Sequence, residues 1–439
     1  MQSIKKLHLL ALVALFALVA AACGPSDPGA PSEDPTVPPV DETTAPPAEP
    51  TETAAPLGDA DGTLHLGTIL PETGSLAFLG PPEFAAVEMA VNDINDAGGV
   101  LGNDVELSQG DSGDTTTELA SQTVDKHLTA GADAIVGAAS SGVSFTVIDK
   151  ITGAGKVHFS PANTSPDFTD YNDNGLYFRT APSDVLQGRT LGEIIIEDQH
   201  SSVGILALQD PYGEGLADNV ELSVVDSGGE VPEKIIYNPT AKNFDAEVQQ
   251  IKAADPDAIV LIGFDESAKV ITEMIEQGVG PQDKPLYLVD GNTGNALGEQ
   301  IKQEGALDGV KGTIPGAEQT PAFKERLDEV DPKLKDYSYA PESYDAVVVI
   351  ALAAVAANSD AGTAVGAQIP GVTREGTKCT EFKECADLLA SGEDIDYDGV
   401  SGPIEMDDAG DPTEASIGVY TFGPDNQLLP DVEYRFGKV

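Results

Sequence analysis

Residues 134–183 read AIVGAASSGVSFTVIDKITGAGKVHFSPANTSPDFTDYNDNGLYFRTAPS, and this stretch decides the fold. Ala134–Val136 and Val157–Phe159 are short apolar runs bounded by Gly and Ser, as strands are. Between them Val143, Val147, Ile148 and Ile151 recur at helical spacing. A strand, a helix and a second strand at this spacing form a βαβ unit, which requires a parallel sheet. The stretch ends in Arg179-Thr180-Ala181-Pro182-Ser183, where the proline forces its predecessor out of the α region. That extended piece is expected to leave the first domain for a second.

The same rhythm extends in both directions. Upstream, strands are expected at Leu64–Leu70 and Val105–Leu107. The helix between them presents Phe84, Val87, Val91 and Ile94 on one face and stops at Asp96-Ala97-Gly98-Gly99. Downstream, Val203–Leu208, Ile235–Tyr237, Ala258–Ile262 and Leu286–Val289 read as strands, separated by helical stretches such as Leu216–Val225 and Phe244–Ala254. Gly312-Thr313-Ile314-Pro315-Gly316 and Ser401-Gly402-Pro403-Ile404 have the character of two further crossings. The helix Tyr344–Ala357 rejoins the first half, and Ile417–Thr421 and Val432–Phe436 close the second. The expected architecture is α/β, with two doubly wound parallel-sheet lobes joined by three crossing strands. Residues 62–182 and 315–402 form lobe 1, and residues 183–314 and 403–439 form lobe 2.

At the N-terminus Lys5 and Lys6 precede an apolar run from Leu9 to Val19 that ends in Ala20-Ala21-Ala22-Cys23. This is the pattern of a signal peptide, residues 1–22, closing in a lipobox, so Cys23 is expected to carry a lipid anchor on the extracytoplasmic face of the cell membrane. A plain secretory signal with a free Cys23 is the alternative. From Gly24 to Asp61 the chain has ten prolines, nine acidic residues and no Lys or Arg. Such a composition buries no core, so residues 23–61 are expected to be a disordered tether reaching on the order of 35 Å as a coil and about 120 Å fully extended.

Seventy-four acidic against 23 basic residues give a net charge of −51, which repels nucleic acid and excludes a phosphate-tracking role. In an oxidising compartment Cys379 and Cys385, six residues apart, are expected to form a disulfide, with two free thiols as the alternative.

No catalytic, metal or cofactor site is legible. The histidines His8, His65, His127, His158 and His200 are scattered without metal-ligand spacing, and no GxSxG elbow occurs. Residues 137–142 have the two glycines of a phosphate-binding loop, but Val143 stands where its Lys belongs. Gly213-Glu214-Gly215 opens a helix, yet Asp218 replaces the third glycine of a dinucleotide fingerprint. What remains are small polar residues where strands end. Ser140-Ser141-Gly142 begins a helix after the third strand and offers N–H groups and hydroxyls to an anion, or else simply caps the helix. Ser160-Pro161-Ala162-Asn163-Thr164 follows the fourth strand in the same way.

The chain resembles the leucine/isoleucine/valine-binding proteins of ABC importers, within the type I periplasmic binding proteins. The resemblance spans nearly all of Gly62–Val439. It is carried, in order, by Ala97-Gly98-Gly99-Val100-Leu101-Gly102, Ser160-Pro161-Ala162-Asn163-Thr164-Ser165-Pro166, Tyr212-Gly213-Glu214-Gly215 and Asp398-Gly399-Val400-Ser401-Gly402-Pro403. It implies no enzyme and no cofactor, but an exported protein that captures a small amino-acid-like solute by hinge closure and hands it to ABC permease subunits. A ligand-sensing receptor domain of the same fold, not coupled to transport, is the other function it allows. By resemblance Ser141 and Thr164 hold the ligand carboxylate, and the Ala162 carbonyl with the Thr164 hydroxyl accepts from its ammonium. Tyr212 closes from the second lobe, Phe264 adds an aromatic, and Leu79 with Phe78 walls the side chain. Asp290, in Leu288-Val289-Asp290-Gly291, is the nearest match to the family's acidic partner for the ammonium and stands one position off.

Overall fold

Residues 60–439 are described in a computed structural model; the expected signal peptide, the expected lipid attachment at Cys23 and the expected tether as far as residue 59 lie outside the described residues. The first lobe opens with β1 (His65–Ile69), α1 (Gly80–Asp96), β2 (Glu106–Ser108), α2 (Leu119–Ala130), β3 (Ala134–Gly137), α3 (Ser141–Gly153), β4 (Val157–Ser160) and β5 (Tyr177–Arg179). Its sheet runs β2-β1-β3-β4-β5 with every pair parallel.

The chain then crosses and lays down α4 (Asp184–Glu197), β6 (Ser202–Leu208), α5 (Pro211–Asp226), β7 (Glu230–Tyr237), α6 (Asp245–Ala254), β8 (Ala258–Ile262), α7 (Ser267–Glu276), β9 (Leu286–Leu288), α8 (Asn295–Gln300) and β10 (Lys311–Pro315). It returns to the first lobe for α9 (Pro321–Val330), α10 (Ala340–Ala357), α11 (Gly362–Gly366), β11 (Thr377–Cys379), α12 (Phe382–Ser391), β12 (Ile395–Gly399) and β13 (Gly402–Pro403). A last crossing delivers β14 (Glu414–Thr421) and β15 (Glu433–Lys438). The second sheet runs β15-β14-β10-β9-β8-β6-β7. Its last two strands are antiparallel additions to a parallel body: β14 pairs with β10, and β15 folds back on β14 with no helix between them.

The first lobe is organised by α10. Its run Ala346–Ala354 has no exposed residue, and it packs on Ala86, Val87, Ala90 and Ile94 of α1. Among the described residues it is the one helix long and apolar enough to cross a membrane, and 83% of it is buried in this core instead. Beside it Cys379 and Cys385 form a disulfide with Cα atoms 5.5 Å apart. Closing so short a loop restricts the unfolded chain by about 2–3 kcal/mol. Reduction is therefore expected to lower stability by that amount without altering solute affinity, as denaturant titration with and without reductant will show.

All three crossings meet the first turns of α10. The Thr180 hydroxyl of the first donates to the Glu342 carbonyl at 2.9 Å, and Gly316 of the second faces the Glu342 carboxyl. At the third, Asp345 accepts from Val400 N at 3.1 Å and Ser401 N at 2.7 Å, and from the Tyr397 hydroxyl at 2.7 Å. Burial pushes Glu342 up to about 8 and Asp345 up to about 6. A carboxyl whose pKa rises on folding favours the protonated native state, so its contribution is full at low pH and is lost as pH climbs to the folded value. Stability of the solute-free protein is thus expected to fall between pH 6 and 8, with Glu342 alone withdrawing on the order of 2 kcal/mol. Melting temperatures that stay level or rise across this interval would contradict the assignment.

Candidate functional site

The carboxyl ends of the first-lobe strands face the second lobe, which is where doubly wound sheets bind ligands. Ser140 caps α3, its Oγ accepting from Val143 N at 3.3 Å, so the cap reading of this motif is correct for Ser140. Ser141 is then the first helical residue. First-turn N–H groups have no partner inside their own helix and carry the positive end of its dipole. The Ser141 hydroxyl accepts from Ser165 N at 3.3 Å, which joins α3 to the loop after β4.

That loop is clamped from below. Ser160 Oγ donates to the Ala138 carbonyl at 2.7 Å, and Asn163 Nδ2 donates to the Ala138 and Ala139 carbonyls at 3.0 and 2.9 Å. Arg179, fully buried, donates to the Ser165 carbonyl at 2.7 Å and to the Asn163 carbonyl at 3.4 Å, bracketing Thr164. Its charge is met by Asp411, on the third crossing, through contacts of 2.6 and 2.8 Å. A bidentate Arg–carboxylate pair of this kind fixes orientation as well as charge. Held so, Ala162 is buried, and Thr164 is 99% buried with its hydroxyl lacking a hydrogen-bond partner among the described residues.

From the second lobe come Tyr212, in the first turn of α5, Phe264, after β8, and Asp290, after β9. The Tyr212 and Phe264 rings stack with centroids 5.6 Å apart. Asp290 accepts from the Tyr212 hydroxyl at 2.7 Å and Gln187 Nε2 at 2.9 Å through Oδ1, and from the Tyr339 hydroxyl at 2.7 Å through Oδ2. Burial raises its pKa against those three donors. Beside it stands Asp184, the first residue of α4. Both of its carboxylate oxygens lack a hydrogen-bond partner among the described residues, and its N–H donates to the Thr164 carbonyl at 2.7 Å. The Thr164 hydroxyl lies close to this carboxyl but outside hydrogen-bonding geometry. Burial, and then the Asp290 charge, hold Asp184 well above the usual carboxylate range. Asp184 and Asp290 are thus two buried carboxyls side by side.

The lobes are shut on one another. Ser165 Oγ donates to the Pro211 carbonyl at 3.1 Å, Gly142 leaves no room for a Cβ against Asp210, and a Cβ on Gly215 would lie 2.7 Å from Pro166 Cδ. Leu79 and Ala162 pack in one apolar cluster with Tyr212 and Phe264, with Phe78 against it. A cavity of about 190 Å³ lies between Phe78 and Phe264, with Ser75, Gly291 and Leu297 in its wall.

All eight residues expected at the site therefore gather at this interface. Asp184, Gln187 and Tyr339 were not legible. Ser183-Asp184 after a proline looks like any helix start, and nothing local in Tyr339 marks it as a partner for a residue 49 positions away. Elsewhere, Asp396, Asp398 and Glu405 cluster closely enough to hold a metal, but the Lys378 ammonium sits among them at 2.8, 2.9 and 3.0 Å.

This geometry has relatives. The Leu/Ile/Val-binding protein homolog 1 of Brucella suis is 26% identical over 359 residues, covering 81% of this chain and 89% of its own. The branched-chain amino acid transporter substrate-binding protein LivJ of Streptococcus pneumoniae, solved with isoleucine, superposes with a TM-score of 0.70 at 23% identity over 85% of this chain and all of its own. A solute-binding protein of an R. palustris ABC transporter, solved with 4-hydroxybenzoate, also gives 0.70, at 15% identity over 85% of this chain and 97% of its own. The model of the family described as periplasmic binding protein matches residues 63–420. The chain belongs to the periplasmic binding protein family, whose members bind solutes and are not enzymes.

Proposed function

We propose that this protein captures a small α-amino-acid-like solute between its lobes, by hinge closure, and delivers it to the permease of an ABC importer. The observation that carries the reading is the pairing of an unpartnered Thr164 hydroxyl with the confined carboxyls of Asp184 and Asp290. Together they suit an ammonium, while the first turn of α3 and Ser141 suit a carboxylate. Leu79, Phe78 and Phe264 offer an apolar wall to whatever lies between those charged ends. The isoleucine and 4-hydroxybenzoate of the two solved relatives are both small carboxylates. Lobe 1 is taken as residues 62–182 with 315–402, and lobe 2 as 183–314 with 403–439.

Cys23 at the lipobox is the proposed attachment to the outer face of the membrane. Cys23→Ala is expected to move the protein from the membrane fraction to the medium with its binding intact, and continued membrane retention would exclude the anchor. The solute reading is tested by a thermal-shift screen of amino acids, amides and small aromatic acids. A ligand at 100 times its dissociation constant adds about 2.7 kcal/mol, a shift of a few degrees at least. If only compounds without an α-ammonium stabilise the protein, the amino-acid reading fails.

A further inference from the structure

A second cavity, of about 360 Å³, adjoins the first across Ser75 and Phe264 and is also built from both lobes. Lobe 1 contributes Asp114 and Ser140, and lobe 2 contributes Asp210, Thr240, Asp265 and Glu266. Four carboxylates line it and no Lys or Arg does. Two of the four are committed in part. Glu266 Oε1 accepts from the Tyr237 hydroxyl and from Phe264 N, and Asp114 Oδ1 holds Thr116. Asp210 is different. It is 91% buried, its Oδ1 caps α5, and its Oδ2 faces the opposite lobe without accepting a hydrogen bond from any described residue. Asp114 of one lobe and Asp265 of the other line this same cavity, with Lys269 acting on Asp265 from outside the lining.

The distance to the first pair of carboxyls is set by one side chain. Tyr212 donates through its backbone N–H to Asp210 Oδ1 at 3.0 Å and through its hydroxyl to Asp290 Oδ1 at 2.7 Å. The Asp184–Asp290 pair and the acidic cavity therefore stand one tyrosine apart. That is about the reach of a straight aliphatic stem with a charge at each end, lying along the Phe264 wall as long cationic side chains lie along apolar surfaces.

Resting on the amino-acid reading above, we infer that the solute carries a second cationic group, an amine or guanidine at the end of its side chain, which this acidic cavity receives. Titration calorimetry with L-lysine, L-ornithine and L-norleucine tests this, because norleucine keeps the stem of lysine and lacks only its terminal ammonium. Lysine or ornithine is expected to bind roughly tenfold or more tighter than norleucine. The paired variant Asp210→Asn with Asp265→Asn keeps the α5 cap, since Asn caps as well as Asp, and is expected to abolish that preference. Norleucine binding as tightly as lysine and ornithine overturns the inference and leaves the amino-acid reading standing. Absence of binding by all three, with a des-amino solute found in the screen, overturns both. Stabilisation by calcium chloride or sodium chloride alone, with lysine no better than norleucine, assigns the cavity to an inorganic ion and also overturns the inference.

Discussion

Asp290→Asn is expected to weaken solute binding by about 2–5 kcal/mol, some 30-fold to several thousand-fold, while leaving the solute-free protein within about 1 kcal/mol of its parent stability. The two halves of this expectation have different origins. In the complex the substitution removes the charge that answers a desolvated ammonium, and an unpaired buried charge is among the costliest defects known. In the free protein burial and the Asp290 charge push the Asp184 pKa up, so removing that charge lets Asp184 relax toward its ordinary range and offsets part of the cost of the lost hydrogen bond. The amide oxygen still accepts from Tyr212 and Gln187, and only the Tyr339 hydroxyl on the other side loses its acceptor. Calorimetry paired with thermal melting separates the two terms. A variant that binds normally would remove Asp290 from the site, and one that simply unfolds would make it a structural residue.

Thr164→Ala is expected to cost about 1.5–3 kcal/mol, or roughly 10- to 150-fold in affinity. Thr164 is 99% buried and its hydroxyl makes no hydrogen bond to any described residue, so the substitution is expected to act on the solute more than on the fold. Tyr212→Ala also weakens binding, but by another route, because Tyr212 belongs to the second lobe and meets the solute only after closure. Thr164→Ala should slow productive encounter and speed release, whereas Tyr212→Ala should spare the encounter and speed release alone. Stopped-flow measurements on both variants make the comparison. Identical kinetic signatures would mean that the two residues do not act from opposite sides of a closing cleft.

How far the sequence carries depends on where each signal resides. Ala258–Ile262 was legible to the residue because a central strand covered on both faces is one unbroken apolar run. The strand Glu230–Tyr237 was seen only as its last three residues. It lies at the sheet edge, where exposed Glu230 and half-buried Glu233 and Lys234 break the run. Tyr177–Arg179 was not expected as a strand; only Arg179 was read, as the start of the extended crossing marked by Pro182, although it ends a buried strand. Here it does so because Asp411, more than 230 residues on, neutralises it. The site divides the same way. Ser141, Ala162, Thr164 and Tyr212 sit in short local motifs. Asp184 and Tyr339 are marked only by what surrounds them after folding, and two carboxyls 106 positions apart share no local pattern.

The central claim is that the cleft holds a solute with its cationic end on the buried carboxyls and its anionic end on the first-lobe strands. A crystal structure of the complex with the tightest solute from the screen tests it most directly. The account predicts an ammonium nitrogen within hydrogen-bonding distance of Asp290, the Ala162 carbonyl and the Thr164 hydroxyl, and a carboxylate against Ser141 and the first turn of α3. A solute bound outside the interlobe cleft, or one lying with its carboxylate toward Asp184 and Asp290, would contradict it.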